Sequence, residues 1–432
     1  MQLLFTLLVK HNLKSVQVDF RNAFTQSDLD EPIYMHLPPG YKKDGMCYQV
    51  NKSLYGDTRA ALLWYQHLRN GLLACGFQTS KTDPCLYFKD GVVFIHFVDD
   101  AIIVSHDDAV IQQVIKDLQD KGYELDPEDD YAGYLGISIE PQENGDVHLR
   151  QTGLIDRILA DLGLAESTRT APTPAEDVLC AFPEAPVFSA EWNYRSVLGK
   201  MMYLSGSTRL DLAFANHQCA RFSHNPRKPH EKAMKRIGKY LLGTRTQGMI
   251  IRKSTPGERL TLDAYPDADF CGVFKCNNPL DPKAARSRTG YVITLGDIPI
   301  VWSSKLQTRT ALSTMEAEYN ALESAMRHLI PLRAVLGELS DALHLTAEPK
   351  STIHSTIWED NSACYKMATA DPPKMTARNR HIASTYHWFR EHLEPGVIEV
   401  KPISTIDQKG DILTKATTAE IFVRLRRLLL GW

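Results

Sequence analysis

Between Val92 and Val104, two short runs of β-branched and aromatic residues flank a pair of adjacent acids, Asp99 and Asp100. The pattern reads as a β-hairpin presenting both carboxylates at its tip. Asp is also a common turn residue, so an acidic tip alone carries no function. A second stretch, Ser15 to Phe24, reads as a strand that ends in Asp19 and then turns into a short aromatic-bearing segment. If the two strands are neighbours in one sheet, three carboxylates meet at one edge, where like charges repel unless a cation joins them. Hard carboxylate oxygens suit Mg2+, and a pair of such ions can clamp the attacking and leaving oxygens of a phosphoryl transfer.

A chain of 432 residues is too long for one ordinary core and suits two or three domains. Its hydrophobic share of 43% and charged share of 23% are those of a globular chain. No apolar run reaches the roughly 20 residues that cross a bilayer, so no membrane insertion is expected. The apolar start, Met1 to Lys10, has no basic leader or small-residue cleavage site and reads as a buried helix. Eight cysteines without a C-x-x-C pair read as reduced, intracellular core residues. With a formal net charge of -3, any phosphate contact has to come from local clusters.

Val110, Val114, Leu118 and Tyr123 suggest an amphipathic helix within Asp107 to Leu125, and strands are expected at 134–139 and 147–149 around Asn144-Gly145. The Pro- and Ala-rich stretch from Ala171 to Pro186 is the clearest linker. Beyond it, a helix starting near Pro229 carries Lys228, Lys232, Lys235, Arg236 and Lys239 on one face, and Met234, Ile237 and Leu241 on another. Residues 221–245 hold eight Lys or Arg against one acid, Glu231, which favours a duplex-backbone contact over a solvated face. The last part of the chain reads as strands at 260–265, 290–295, 299–303, 353–358 and 397–402, with a helix over 313–327. Asp267, Glu316, Asp360 and Asp411 lie at the starts or ends of these elements.

The run Val18-Asp19-Phe20-Arg21-Asn22-Ala23-Phe24 is followed by Asp30-Glu31-Pro32-Ile33-Tyr34-Met35, Pro38-Pro39-Gly40-Tyr41, Lys52-Ser53-Leu54-Tyr55-Gly56, Trp64-Tyr65, Phe97-Val98-Asp99-Asp100 and Tyr134-Leu135-Gly136-Ile137. In order and approximate spacing these resemble the palm of copia-type retrotransposon reverse transcriptases. The resemblance implies that Asp19, Asp99 and Asp100 are catalytic, metal-binding residues of an RNA-directed DNA polymerase. Phe24 would sit where the family places the aromatic that excludes a ribose 2'-hydroxyl, the alternative being an ordinary core aromatic. Arg59 stands in place of a family glutamine that lines the nucleotide site. It cannot reproduce an amide's hydrogen bonds but can meet a phosphate, so polymerase activity is put in question. A fingers region precedes this point in the family, so the chain is expected to be a polyprotein segment or a truncated copy.

Further motifs at 264–270, 286–292, 302–305, 312–319, 359–363, 380–382 and 410–415 resemble a type-1 ribonuclease H domain with copia-group details. Asp267, Glu316, Asp360 and Asp411 would then bind metal and hydrolyse an RNA strand paired to DNA. Asp269 and Glu318 lie two residues from chosen ligands, and a register error would exchange them. On a helix Glu316 and Glu318 point about 200° apart, so only one can face the metals, and the motif favours Glu316. His381 matches a family histidine, either as a substrate contact or as a structural residue.

The expected fold is α+β and multidomain: a reverse transcriptase palm (an antiparallel sheet with helices), a connection region, and an α/β ribonuclease H-like domain. The palm would span 1–165, the linker and thumb or connection 166–256, and the nuclease domain 257–432. The resemblance implies two Mg2+ ions per active site, with Mn2+ as a substitute. Implied partners are an RNA template, a DNA primer, RNA/DNA hybrid, deoxynucleoside triphosphates and other polyprotein products. The implied location is intracellular, either cytoplasmic within virus-like particles or nuclear. The alternatives are a degenerate copy with only the nuclease active and a noncatalytic nucleic-acid-binding relic.

Overall fold

A computed structural model describes residues 2–128, 136–254, 261–276, 284–345, 353–370 and 388–432. It divides into two compact units, one of residues 11–131 with 334–350, the other of residues 1–10, 132–333 and 351–432. Where the sequence suggested three successive domains, residues 132–256 fall into one unit with most of the C-terminal stretch. His381 lies outside the described residues, as do Tyr134 and Leu135. Among the described residues no helix is long and apolar enough to cross a membrane.

The first unit is built on β1 (Lys14–Phe20), β2 (Asp28–Met35), β3 (Tyr48–Lys52), β4 (Gln78–Thr79), β5 (Leu86–Lys89), β6 (Val92–Phe97), β7 (Asp100–Ser105) and β8 (Leu125–Glu128). Six of them form a sheet in the order β4-β5-β6-β7-β1-β8, antiparallel throughout, while β2 and β3 pair separately. The helix Ala60–Ala74 buries Ala60, Trp64, Leu68 and Leu72, four residues apart and therefore on one stripe. Trp64, Leu68 and Leu72 share a core with Val18, Phe20, Tyr87, Phe94 and Ile103 of the sheet. The helix Asp108–Asp120 starts on Asp107, whose carboxylate accepts from Ala109 N at 2.9 Å. It buries Ile111, Val114, Ile115 and Leu118, and Tyr123 beyond it is buried too, so of the expected stripe only Val110 is exposed.

The second unit holds β9 (Ser138–Pro141), β10 (Val147–Arg150), β11 (Met249–Ile251), β12 (Leu262–Asp269), β13 (Arg288–Leu295), β14 (Ile298–Leu306), β15 (Ser355–Glu359) and β16 (Ile398–Pro402). The first three form a small antiparallel sheet. The others form a sheet in the order β14-β13-β12-β15-β16, antiparallel from β14 to β12 and parallel from β12 to β16. The helix Thr314–Ala342 packs its first turns through Ala317 and Ala321 against Ala268 of β12, small residues that permit a close approach. Cys180 and Cys276 are joined by a disulfide with their Cα atoms 5.3 Å apart, where reduced cysteines were expected. The fold brings together two thiols that are 96 residues apart in the sequence.

Candidate active site

In the first unit the expected hairpin forms, with Val98 and Asp99 as the turn between β6 and β7. Val98 has φ 58°, a left-handed conformation that costs a β-branched residue roughly 1–3 kcal/mol. Its carbonyl accepts from Trp64 Nε1 at 2.6 Å, which ties the turn to the helix beneath it. Asp19, at the end of β1, lies directly opposite Asp100, and Phe20 N donates to Asp99 O at 2.8 Å. The three acids therefore share one sheet edge. Burial raises the Asp19 pKa, and the charges of Asp99 and Asp126 raise it further. Asp100 is raised by burial and by Asp99 and Asp19, against a hydrogen bond from Gln17. The three are electrostatic neighbours, but they do not form a group whose ligand atoms all lie within 4.8 Å of one another.

Phe24 packs on Tyr55 with ring centroids 4.6 Å apart, and Tyr55 itself feels the charges of Asp99 and Asp19. Arg59 sits at the start of the Ala60–Ala74 helix, with Nη1 2.8 Å from Asp30 and 3.5 Å from Glu31. Its charge is therefore already met by two acids of β2, a competition with any phosphate that the sequence reading did not foresee.

The second unit assembles a tighter acidic group. Asp267 of β12, Glu318 in the first turns of the Thr314–Ala342 helix and Asp360 just beyond β15 bring their ligand atoms within 4.8 Å of one another. No other such trio of His, Cys, Asp or Glu occurs among the described residues. Glu316 is not in this group. Its carboxylate accepts from Leu312 N at 2.8 Å while Glu316 N donates to Ser313 Oγ at 3.1 Å, two bonds that cap the helix start. With Glu316 turned back to the helix start, the opposite side of the turn carries Glu318 to Asp267. The acidic trio thus contains Glu318 and not Glu316, the residue the sequence reading chose. Of Asp267 and Asp269, it is Asp267, 1% exposed, that belongs to the trio.

Asp411 approaches through a cation rather than directly. Lys415 Nζ lies 3.2 Å from Asp267 Oδ1 and 2.7 Å from Asp411 Oδ1, and Thr414 Oγ1 donates to Asp267 Oδ2. Two glycines make the approach of this segment possible. A Cβ on Gly290, opposite Asp267 in β13, would come within 2.5 Å of Thr414, and one on Gly410 within 2.8 Å of the Asp267 side chain. Burial raises the Asp267 pKa, opposed by Lys415 and reinforced by Asp411. Glu318 is raised well above the usual range by burial and then by Asp267, Glu359 and Asp360, and its Oε2 is unpaired. Asp360 is raised by burial and Asp267. Glu359, which the sequence reading did not single out, is pushed up to about 8 by burial. Crowded, buried carboxylates with an unpaired oxygen are a donor set that fits a hard divalent cation.

The basic helix forms over Lys228–Gly243, but its charges are not all available. Glu231 is 3% exposed and accepts Lys228 at 2.8 Å and Lys235 at 3.0 Å. Arg236 pairs with Glu176 and donates to Thr173 Oγ1 at 3.0 Å. Lys232 and Lys239 make no ion pair among the described residues, and both line a cleft of about 580 Å³ beside residues 174–179.

Residues 1–177 match the family described as reverse transcriptase (RNA-dependent DNA polymerase). Across 94% of its length the chain is 32% identical to the retrovirus-related Pol polyprotein from transposon RE1 of Arabidopsis thaliana, covering 26% of that protein. For the corresponding RE2 protein of the same plant the identity is 31%, over 95% of this chain and 27% of the relative. The transposon TNT 1-94 polyprotein of Nicotiana tabacum is 30% identical over 99% of this chain, which covers 31% of it. The chain thus spans less than a third of the length of these relatives. Residues 1–177 are thus a reverse transcriptase segment, and the likeness to the transposon polyproteins runs through the rest of the chain. More particularly, the chain is a segment of the copia-type retrotransposon class.

Proposed function

We propose that this chain synthesises DNA on an RNA template and degrades the RNA strand of the resulting hybrid. The reading assigns residues 1–165 to the palm, 166–256 to a linker and connection, and 257–432 to a ribonuclease H-like domain. The trio of Asp267 and Glu318, both buried, with the half-buried Asp360 is the observation that carries it. Its position on a sheet that runs antiparallel and then parallel, with helices packed against it, supports the nuclease assignment. Mg2+ ions held there would lower the pKa of an attacking water and stabilise the leaving oxygen, with Mn2+ as a substitute. Lys415 offsets the charge of Asp267 and Asp411 and holds the two carboxylates together. In the palm, Asp19, Asp99 and Asp100 would hold the metal for nucleotide addition, and Phe24 on Tyr55 would meet the incoming sugar. The partners are an RNA template, a DNA primer, deoxynucleoside triphosphates and the hybrid product.

The test is cleavage of the RNA strand of an RNA/DNA hybrid by the 432-residue chain, with Mg2+ and with chelator, beside Asp360→Asn. Cleavage that needs metal and vanishes in Asp360→Asn supports the proposal, and metal-independent cleavage or an active Asp360→Asn chain contradicts it. A second reading, with only the nuclease active, is favoured by the ion pairs that Arg59 makes with Asp30 and Glu31. Primer extension on an RNA template separates the two readings.

A further inference from the structure

Residues 171–188, the stretch that the sequence marks as a linker, run back along the basic helix Lys228–Gly243 as a strap. Ala171 N donates to Lys239 O at 3.3 Å, Arg236 Nη2 to Thr173 Oγ1 at 3.0 Å, and Lys228 N to Pro186 O at 2.9 Å, so strap and helix lie antiparallel. Glu176 pairs with Arg236. Glu176 and Asp177 both line the cleft of about 580 Å³ that Lys232 and Lys239 also line. Two carboxylates of the chain therefore stand where a phosphate would approach the helix, and Arg236 is withheld from it.

The strap is lightly held except at one point. From Ala175 to Ala190 no residue is buried, and even Phe182 and Val187 stay exposed. A segment with so few buried apolar contacts opens locally with ease. The exception is Cys180. His230 Nδ1 accepts from Arg227 N at 2.8 Å, so Nε2 carries the ring proton and donates to Cys180 O at 2.7 Å. The Cys180 sulfur is bonded to that of Cys276, at the end of the short helix Gly272–Cys276 that follows β12. Both cysteines are partly exposed, which leaves the bond open to a thiol from solution.

We propose that the Cys180–Cys276 disulfide is a latch that a dithiol opens, releasing the strap from the basic helix and raising the affinity of the chain for RNA/DNA hybrid. One thiolate of the dithiol attacks a protein sulfur and expels the other as a thiolate. Its second thiolate then attacks the mixed disulfide and expels the first protein sulfur. The dithiol is oxidised to a disulfide, the protein disulfide is reduced to two thiols, and two electrons and two protons pass between them. Release takes Glu176 and Asp177 out of the cleft and frees the Arg236 guanidinium for a backbone phosphate. The inference rests on the hybrid-cleaving reading above and adds to it a redox control of hybrid binding.

The test uses the full chain carrying Asp360→Asn, so that the hybrid stays whole, treated either with oxidised glutathione or with dithiothreitol. Peptide mapping of the oxidised chain should show Cys180 linked to Cys276, and hydrogen exchange across 174–188 should quicken on reduction. The slope of log hybrid affinity against log salt should steepen by about 0.7–0.9 in the reduced chain, the one phosphate contact that Arg236 gains. Cys180→Ser, a change at a partly exposed position, should show the steeper slope under both treatments, and Arg236→Gln should show no steepening on reduction. Absence of the Cys180–Cys276 link in the oxidised chain, or equal slopes in the oxidised and reduced chains, overturns the inference. So does a slope that still responds to reduction in Cys180→Ser, which would trace the response to other cysteines. If the chain without Asp360→Asn cleaves hybrids under metal control while these signs are missing, the latch alone has failed. If it neither binds nor cleaves hybrids under either treatment, the functional reading has failed and the latch's control of hybrid binding with it.

Discussion

His96 gives the sharpest stability prediction, because it is buried two residues before the Val98 turn that presents Asp99. The ring is 5% exposed and lies among Tyr65, Tyr87 and Phe94, with centroids 5.8–6.4 Å away. Neither ring nitrogen has a partner among the described residues. Burial therefore lowers its pKa to about 4 from an ordinary 6.5, only partly opposed by Asp83. The folded state holds the neutral ring, while the unfolded chain takes up a proton as pH drops below 6.5. Its contribution is thus intact above pH 6.5 and is lost progressively down to about pH 4. At pH 4.5 the loss amounts to about 2.5 kcal/mol. The substitution His96→Phe keeps an aromatic ring in place and removes the titration. Urea unfolding would be followed by pulsed hydrogen exchange in peptides covering 92–105, at pH 7.5 and pH 4.5. The parent should lose about 2.5 kcal/mol more than His96→Phe over that interval, and any constant packing penalty cancels in the comparison. Equal losses in the two chains would refute the reasoning.

Three other outcomes follow from the same geometry. In hybrid binding, Lys232→Ala and Lys239→Ala should each reduce the salt slope by roughly 0.7–0.9, whereas Lys228→Ala and Lys235→Ala, whose charges face Glu231, should change it less; equal effects at all four would count against this division. Trp64→Phe removes the donor to Val98 O and should cost about 1–3 kcal/mol in unfolding experiments on the first unit. Arg59→Gln should leave RNA-templated primer extension no weaker than in the parent, because Arg59 is held by Asp30 and Glu31; a large loss in a primer-extension assay would give Arg59 a direct role at the nucleotide.

The acidic hairpin was legible because its apolar runs and its turn are local features, and β6 and β7 form where expected. The first buried position of the Asp108–Asp120 helix was not, because Val110 and Ile111 both fit a helical period with Val114 and Leu118. The cap at Asp107 and packing on the sheet bury Ile111 and leave Val110 37% exposed. The helix expected over 313–327 continues through Pro331 to Ala342, where Leu336 and Leu339 are 2% exposed. Burial of those leucines outweighs one lost backbone hydrogen bond. The choice between Glu316 and Glu318 was local, and Ser313-x-x-Glu316 is a recognisable capping box. The parts played by Lys415 and Thr414 depend on tertiary approach at Gly290 and Gly410, which no local pattern specifies.

The most direct measurement compares RNA-strand cleavage in Mg2+ by Glu318→Gln and Glu316→Gln, each a near-isosteric loss of one negative charge. With Glu318 in the acidic trio proposed to hold the metal and Glu316 in a helix cap, Glu318→Gln should reduce cleavage to the level seen with chelator. Glu316→Gln should keep most of the rate, since glutamine also serves in a capping box. An inactive Glu316→Gln beside an active Glu318→Gln would contradict the site as built from Asp267, Glu318 and Asp360.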